Sequence, residues 1–403
     1  MKVVLYAHDW APLIGGIQTL YAALANGLQR WSNGDPGKGF EVTLITQTPG
    51  HGTDDSRFPF AVVRRPSPRK LIGLIRSADL LHVAGPAMLP MAIGWILGKP
   101  TLVEHDGYQS ICPNGLLVYE PDGTVCPGHF MARRYTRCVA CHSCNQGFGK
   151  SVRSLALTFV RRWLGHRVSL NIAPSRHIAM RVALPRTRLI YHGVPKSAAI
   201  GETAPYESQG QRICFAYLGR LVTEKGLPIL LRAARQLSQA GYRFSLKVVG
   251  DGAERPALEK MTEDFGLGPL TEFVGAVPQE ATRGALKNVT AVVIPSVWED
   301  VAPLVPIDQM MEGRLVIASD IGGLGELVDG VGFKFPPGND AALAACMRQV
   351  IESPEMVKGI VNKARQHALE RFSEERMVLE HVQVYREVLE GQAQSQPANR
   401  PSP

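Results

Sequence analysis

The sequence predicts an α/β protein with two doubly wound, parallel-sheet domains in tandem, and three observations carry that expectation. Short runs rich in β-branched residues alternate with helical patterns along the whole chain, the rhythm of parallel sheets covered on both faces. At 403 residues the chain is too long for one ordinary core. The rhythm breaks once, in a polar, glycine-bearing linker from Pro195 to Gln211, and then restarts.

In the first half, strands are expected over Lys2–Ala7, Val42–Thr46, Ala61–Arg64, Leu80–Ala84 and Thr101–Glu104, with Asn171–Pro174 and Leu189–Tyr191 closing the sheet. Helices over Ile17–Arg30 and Met88–Leu97 lie between them. In the second half the strands are Ile213–Leu218, Ser245–Val249, Glu272–Val274, Ala291–Ile294 and Leu315–Ala318. Their helices are Leu227–Ala240, Arg255–Phe265, Gln279–Leu286 and Leu304–Met311, and an amphipathic helix, Glu374–Leu389, ends the ordered chain. The domains are therefore 1–195 (with a cysteine-rich insert at 106–150) and 196–372, followed by a terminal helix at 373–390 and a disordered tail at 391–403. Ligands of such sheets bind beyond the carboxyl ends of the strands.

Composition narrows the function. With 45% hydrophobic and 20% charged residues the chain is a folded, globular one. Its net charge of +8 is unevenly placed: no acid lies between Asp122 and Glu202, where thirteen Lys and Arg residues fall. Such a field attracts phosphorylated donors or acidic lipid headgroups, or it is a solvated basic face. No nucleic-acid motif accompanies it. The uncharged run Leu80–Gly98 contains His82, Pro86 and Pro90 and reads as buried core, not a membrane span. The N-terminus lacks the features of a signal peptide, so the expected location is cytoplasmic, with contact to the inner membrane face through 123–201. A nicotinamide oxidoreductase would want Gly-x-Gly-x-x-Gly after a strand; Gly250-Asp251-Gly252 comes nearest and lacks the third glycine.

Three loops carry candidate chemistry. Gly219-Arg220 follows a strand, and Lys225 stands five residues on at a helix mouth, two cations suited to a diphosphate or simply to a solvated loop. Pro295–Asp308 ends a strand, carries Glu299 and Asp300, and starts a helix near Pro303. Amides around Val301, Ala302, Pro303 and Leu304 are placed to hold phosphate or sugar hydroxyls. Ser319–Glu326 supplies glycines for close approach and Glu326 for hydroxyls. In the first half, Gly15-Gly16 precedes a helix, and His8, Asp9 and Trp10 are candidate acceptor contacts.

Taken in order, Gly15-Gly16, His105-Asp106, Ala173-Pro174-Ser175, Gly219-Arg220…Lys225-Gly226, Gly250-Asp251-Gly252, Phe273-Val274-Gly275, Asp300…Asp308 and Gly322-Gly323…Glu326 resemble family 4 of the GT-B glycosyltransferases. The resemblance implies a GT-B fold, an acceptor domain facing a donor domain, and retaining transfer from a nucleoside-diphosphate sugar to a hydroxyl of a glycan or lipid-linked acceptor. It also implies hexosyltransferase chemistry in cell-surface polysaccharide or glycolipid synthesis, without a catalytic metal or nucleic-acid partner. Arg220 and Lys225 match residues that neutralise the departing diphosphate, and Asp300 and Asp308 the paired acids on sugar and ribose. His105 matches a histidine near the donor sugar, Gly16 a glycine against the diphosphate or acceptor, and Val274 and Gly275 a segment facing the base. Gly15, Gly219, Gly250 and Glu326 complete the donor site. Two departures stand out: the paired acids are normally glutamates, and Gln18 stands where an acid is frequent. They support an alternative, a nucleotide-sugar-binding protein with lost or weak catalysis.

Cys138, Cys141 and Cys144 have metal-ligand spacing, and Cys112 and Cys126 lie just upstream. A similar insert in some family members implies Cys112, Cys126, Cys138 and Cys141 as a structural set, with Cys144, His142 and His129 as substitutes. Structural zinc, an iron–sulfur centre and simple thiols all fit the sequence.

Overall fold

The computed structural model describes residues 1–12, 15–31, 39–50, 53–119, 124–141, 147–195 and 213–391. Most of the expected linker and tail, and Cys144 and His142, lie outside them. The chain forms two compact units, Met1–Pro195 with Glu374–Pro403, and Lys196–Ser373.

The first unit runs β1 (Lys2–Ala7), α1 (Gly16–Arg30), β2 (Glu41–Thr46), β3 (Ala61–Arg64), α2 (Pro68–Ser77), β4 (Leu80–Ala84), α3 (Met88–Ile96) and β5 (Thr101–Glu104). A short hairpin of β6 (Val118–Tyr119) and β7 (Thr124–Val125) follows, then α4 (Tyr135–Ala140), α5 (Phe148–Gly165), β8 (Leu170–Ala173), α6 (Arg176–Val182) and β9 (Thr187–Leu189). Seven strands form one parallel sheet in the order β3-β2-β1-β4-β5-β8-β9. Its central strands are buried on both faces, which explains their unbroken apolar runs. The last strand sits two residues earlier than the sequence suggested: Thr187–Leu189 is a half-buried edge, and the apolar Ile190 that drew the expectation follows it.

The second unit contains β10 (Ile213–Leu218), α7 (Leu227–Gln239), β11 (Phe244–Val249), α8 (Arg255–Asp264), β12 (Thr271–Gly275), α9 (Gln279–Ala285) and β13 (Ala291–Ile294). It continues with α10 (Leu304–Met311), β14 (Leu315–Ser319), α11 (Gly322–Val328), β15 (Phe333–Phe335), α12 (Asp340–Glu352) and α13 (Pro354–Arg371). Its six-stranded parallel sheet has the order β12-β11-β10-β13-β14-β15, so the order reverses between β10 and β13, where ligands of such sheets bind.

The final helix, α14 (Glu374–Leu389), belongs to the first unit. Met377, Val378, His381, Val382, Tyr385 and Val388 form its buried face, which packs on α1. The approach is close enough that a Cβ on Gly27 would lie 2.3 Å from Val378 Cγ2.

Candidate active site

In the second unit the expected donor residues gather at the carboxyl ends of the strands. Gly219 and Gly250 directly follow β10 and β11, Val274 and Gly275 end β12, and backbone bonds stitch these ends together: Gly219 N–H donates to Val249 O and Gly250 N–H to Gly275 O, at 3.0 and 2.8 Å. Arg220 is exposed (its side chain 71%), with Glu224 3.6 Å away. Lys225 closes a one-turn 3₁₀ segment, Thr223–Lys225, that ends at Gly226. Only glycine suits this position, because φ is +67° and a Cβ would meet Pro295 O at 2.0 Å. That contact seats Lys225 against the loop between β13 and α10.

Asp300 lies in that loop, buried, with both carboxylate oxygens engaged. Lys225 Nζ stands 2.6 Å from Oδ1, and Ser296 Oγ donates to Oδ2 at 2.8 Å. Lys225 also stands 5.4 Å above the Trp298 ring, a cation–π contact. Behind Asp300, Gly323 N–H donates to its backbone carbonyl at 2.7 Å, so the first turn of α11 clamps the acid in place. Glu326 lies one turn further along α11.

Val301 and Ala302 are buried, and Pro303 caps α10 without a side-chain hydrogen bond. Pro306 has no amide hydrogen, so the first turn offers Leu304 and Val305 N–H beyond the cap. Asp308 sits on the same helix; burial first, then Glu312, pushes its carboxyl up to about 7. Sequence and structure thus bring together Gly219, Gly250, Gly275, Lys225, Asp300 and the start of α10 at one sheet edge.

The first unit is arranged differently. His105 is 1% exposed. Asn171 spends both amide hydrogens on Gly165 O and Pro185 O, so its Oδ1 accepts from His105 Nε2–H at 2.9 Å. This bond leaves Nδ1 bare, and burial holds the imidazole below its usual pKa. Gly15 caps α1, Gly16 opens it, and the Gln18 side chain leans over Gly15. His8 and Asp9 line a hollow of about 410 Å³ with Gln47, Thr48 and Arg65. Trp10 does not join them: it is 1% exposed and packs on Phe58 and Phe60, which corrects its expected acceptor role.

Beside His105 lies a buried polar cluster that sequence reasoning missed. Glu104 and Asp106 share the phenol of Tyr21, at 2.9 and 2.7 Å. His192 Nε2 stands 3.1 Å from Asp106 Oδ1 and 3.7 Å from Glu104 Oε1. Burial alone would lower the His192 pKa, yet its hydrogen bonds to the two carboxylates raise it to about 10, so His192 is an imidazolium. Nε2 of His82 and of His381 also face Glu104 Oε2, at 3.3 and 3.7 Å. Glu104 is held well below the carboxylate range: burial raises it, but the three histidines outweigh that. The available signal was Glu104-His105-Asp106, three ionisable residues in succession at the end of a buried strand.

Among the described residues, two metal-type sets have ligand atoms mutually within 4.8 Å: His82–Glu104–His381 and Glu104–Asp106–His192. Cys112, Cys126, Cys138 and Cys141 are all buried and lie around the β6–β7 hairpin, though not within that mutual distance. Cys126 N–H donates to Leu117 O, and Cys141 Sγ–H to Val118 O at 3.4 Å. Burial, then the neighbouring Cys112, Cys126 and Cys141, push the Cys138 thiol up to about 12. Four thiolates are one donor set that holds a structural metal; here Cys112 Sγ–H instead donates to Asn114 Oδ1 at 2.8 Å.

Comparison with known proteins agrees with this architecture. The family model described as glycosyl transferases group 1 matches residues 202–367. An uncharacterized glycosyltransferase of Methanocaldococcus jannaschii is 29% identical over 176 residues, 43% of this chain and 45% of that protein. Glycogen synthase of Mycobacterium tuberculosis is 30% identical over 183 residues, 45% of this chain and 44% of the synthase. The chain therefore spans less than half the length of these curated relatives. Among solved structures, HepE of Anabaena in complex with UDP superposes with a TM-score of 0.70 at 17% identity, covering 96% of this chain and 100% of HepE. No helix among the described residues is long and apolar enough to cross a membrane. Residues 202–367 thus match the glycosyl transferases group 1 model, and the two parallel-sheet units have the fold of GT-B glycosyltransferases.

Proposed function

We propose that the chain transfers a hexose from a nucleoside-diphosphate sugar to a hydroxyl of a glycan or lipid-linked acceptor, with retention and without a catalytic metal. The observation that carries this reading is the Lys225–Asp300 pair beside Arg220 and the first amides of α10. Charge builds on a diphosphate as it leaves, and an ammonium, a guanidinium and oriented N–H groups stabilise it. Those groups supply the positive charge that a metal supplies elsewhere. Lys225 is held by Asp300 until a diphosphate competes for it, which keeps its ammonium in place. Asp300 is then assigned to the transferred sugar, Asp308 to the ribose, Val274 and Gly275 to the base, and Glu326 to hydroxyls. Gly15 and Gly16 are assigned to the diphosphate or acceptor. His105, assigned to the donor sugar by the resemblance, is buried and would have to be uncovered to reach it. The UDP of the HepE structure and the polymer-forming glycogen synthase relative favour a nucleotide-sugar donor and a glycan product.

Release of nucleotide from UDP- and GDP-sugars, with no added divalent ion, tests the reading. Lys225→Ala and Arg220→Ala are each expected to lower kcat about 10²–10³-fold, the effect of losing one preorganised donor. The exposed Arg220 change leaves the melting temperature near the parent's, whereas Lys225→Ala also lowers it because buried Asp300 loses its cation. Activity that survives both substitutions would overturn it. A second reading, a nucleotide-sugar binder without catalysis, is favoured by the full occupation of both Asp300 oxygens. It predicts nucleotide-dependent stabilisation with no nucleotide released.

We infer separately that Cys112, Cys126, Cys138 and Cys141 hold one structural zinc. A hairpin of two-residue strands has little core of its own and needs such a staple. Elemental analysis of purified protein is expected to give one zinc per chain, lost in Cys138→Ser; stoichiometric iron and sulfide would replace zinc by a cluster in this assignment.

A further inference from the structure

Helix α5 buries Ser151, Thr158, Leu164 and Gly165 and turns apolar side chains to solvent. Phe148, Val152, Val160 and Trp163 are 78%, 42%, 44% and 43% exposed. Their spacing over four turns, with Ala156 between, places them on one stripe. The neighbouring α3 does the same: Leu89 and Ile96, one heptad apart, are 57% and 72% exposed. Trp95 of α3 meets Trp163 of α5 edge to face, centroids 5.0 Å apart, so the two stripes join in one patch.

Cations frame this patch. Arg153 is exposed on α5 beside Val152, and the Arg167 guanidinium stands 5.1 Å over the Trp163 ring. Trp95, Lys99, Arg167 and Ser169 line a hollow of about 240 Å³ at its edge. The two segments that build the face, 86–103 and 147–169, contain no Asp or Glu. Large exposed apolar patches mark interaction surfaces. Indoles at the border of an apolar patch ringed by Lys and Arg are the arrangement of helices that lie in a lipid headgroup layer. A second copy of the chain would bring arginine against arginine, and the single sign of charge asks for an anionic partner.

We propose that the α3–α5 face docks on an anionic lipid bilayer, with Ile96, Val160 and Trp163 entering the headgroup layer and Arg153 and Arg167 meeting lipid phosphates. The hollow beside Lys99 and Arg167 takes one such phosphate. This inference stands apart from the transfer reading, and its test uses no sugar nucleotide.

The full chain is floated with vesicles of phosphatidylcholine containing about one-third phosphatidylglycerol, at about 50 mM and about 500 mM salt. Binding is expected at low salt, reduced at high salt, and absent from pure phosphatidylcholine. Ile96→Glu and Val160→Glu, both at exposed positions, are each expected to lower bound protein at least about ten-fold, and Arg153→Gln about five-fold. Unchanged circular dichroism melting shows that the variants are folded. Absence of flotation at low salt, or binding indifferent to both glutamates, overturns the proposal. So does a dimer in light scattering that Ile96→Glu dissociates, which gives the face to a second copy.

Discussion

Residue 192 lies in a place where its proton matters to the whole first unit. The groups facing it are Asp106 and Glu104 at the end of β5, with Tyr21 of α1, His82 of β4, and His381 and Tyr385 of α14 packed around them. Its folded pKa, about 10, lies above the ordinary histidine value of 6.5. The imidazolium therefore contributes stability that is fully present below about pH 6.5 and is lost as pH rises through about 10. The melting temperature of the first unit is expected to fall between those limits. His192→Phe is expected to remove that slope and to destabilise by about 3–5 kcal/mol at neutral pH, because it leaves two buried carboxylates short of a cation. A slope unchanged in the variant places the titrating group elsewhere.

Between elements, α1 and α14 approach closely at Gly27 and Val378. Gly27→Val is expected to push Val378 and its helix away and to cost about 1–3 kcal/mol, the usual penalty of overpacking, read as a lower urea midpoint. Such contacts are invisible in the sequence, although the elements that make them were largely legible. Lys2–Ala7, Leu80–Ala84 and Thr101–Glu104 stood out because double burial writes an unbroken apolar run. Helix α5 went unassigned because it carries apolar residues on its solvent side, which blurs the one-faced pattern. Strand β15, at three residues, is too short to leave a periodic signal, whereas α2 was readable from its Ser67 cap, Pro68 start and Leu71 and Ile75 on one face and was missed. In the donor loops, Lys225 and Asp300 were readable from loop position, since glycine and proline punctuate strand ends. Their direct pairing was not, and neither was the burial of His105, because side-chain partners 75 and 66 residues apart are set by tertiary packing.

Across the whole molecule, the chain leaves its first unit after Pro195, builds the second, and comes back with Glu374–Leu389. A fragment of residues 1–195 lacks Val378, Val382 and Tyr385 over α1 and is expected to be insoluble or molten. Joining residues 374–391 through a flexible linker is expected to restore cooperative melting; a stable 1–195 fragment would contradict this. The detour also sets a timetable on the ribosome. The earliest-made half must wait, its hydrophobic seam open, until some 180 further residues have emerged, so the later-made half can finish first. A nascent chain stalled before Glu374 would present chaperones with one finished lobe and one unfinished one, the reverse of the order of synthesis.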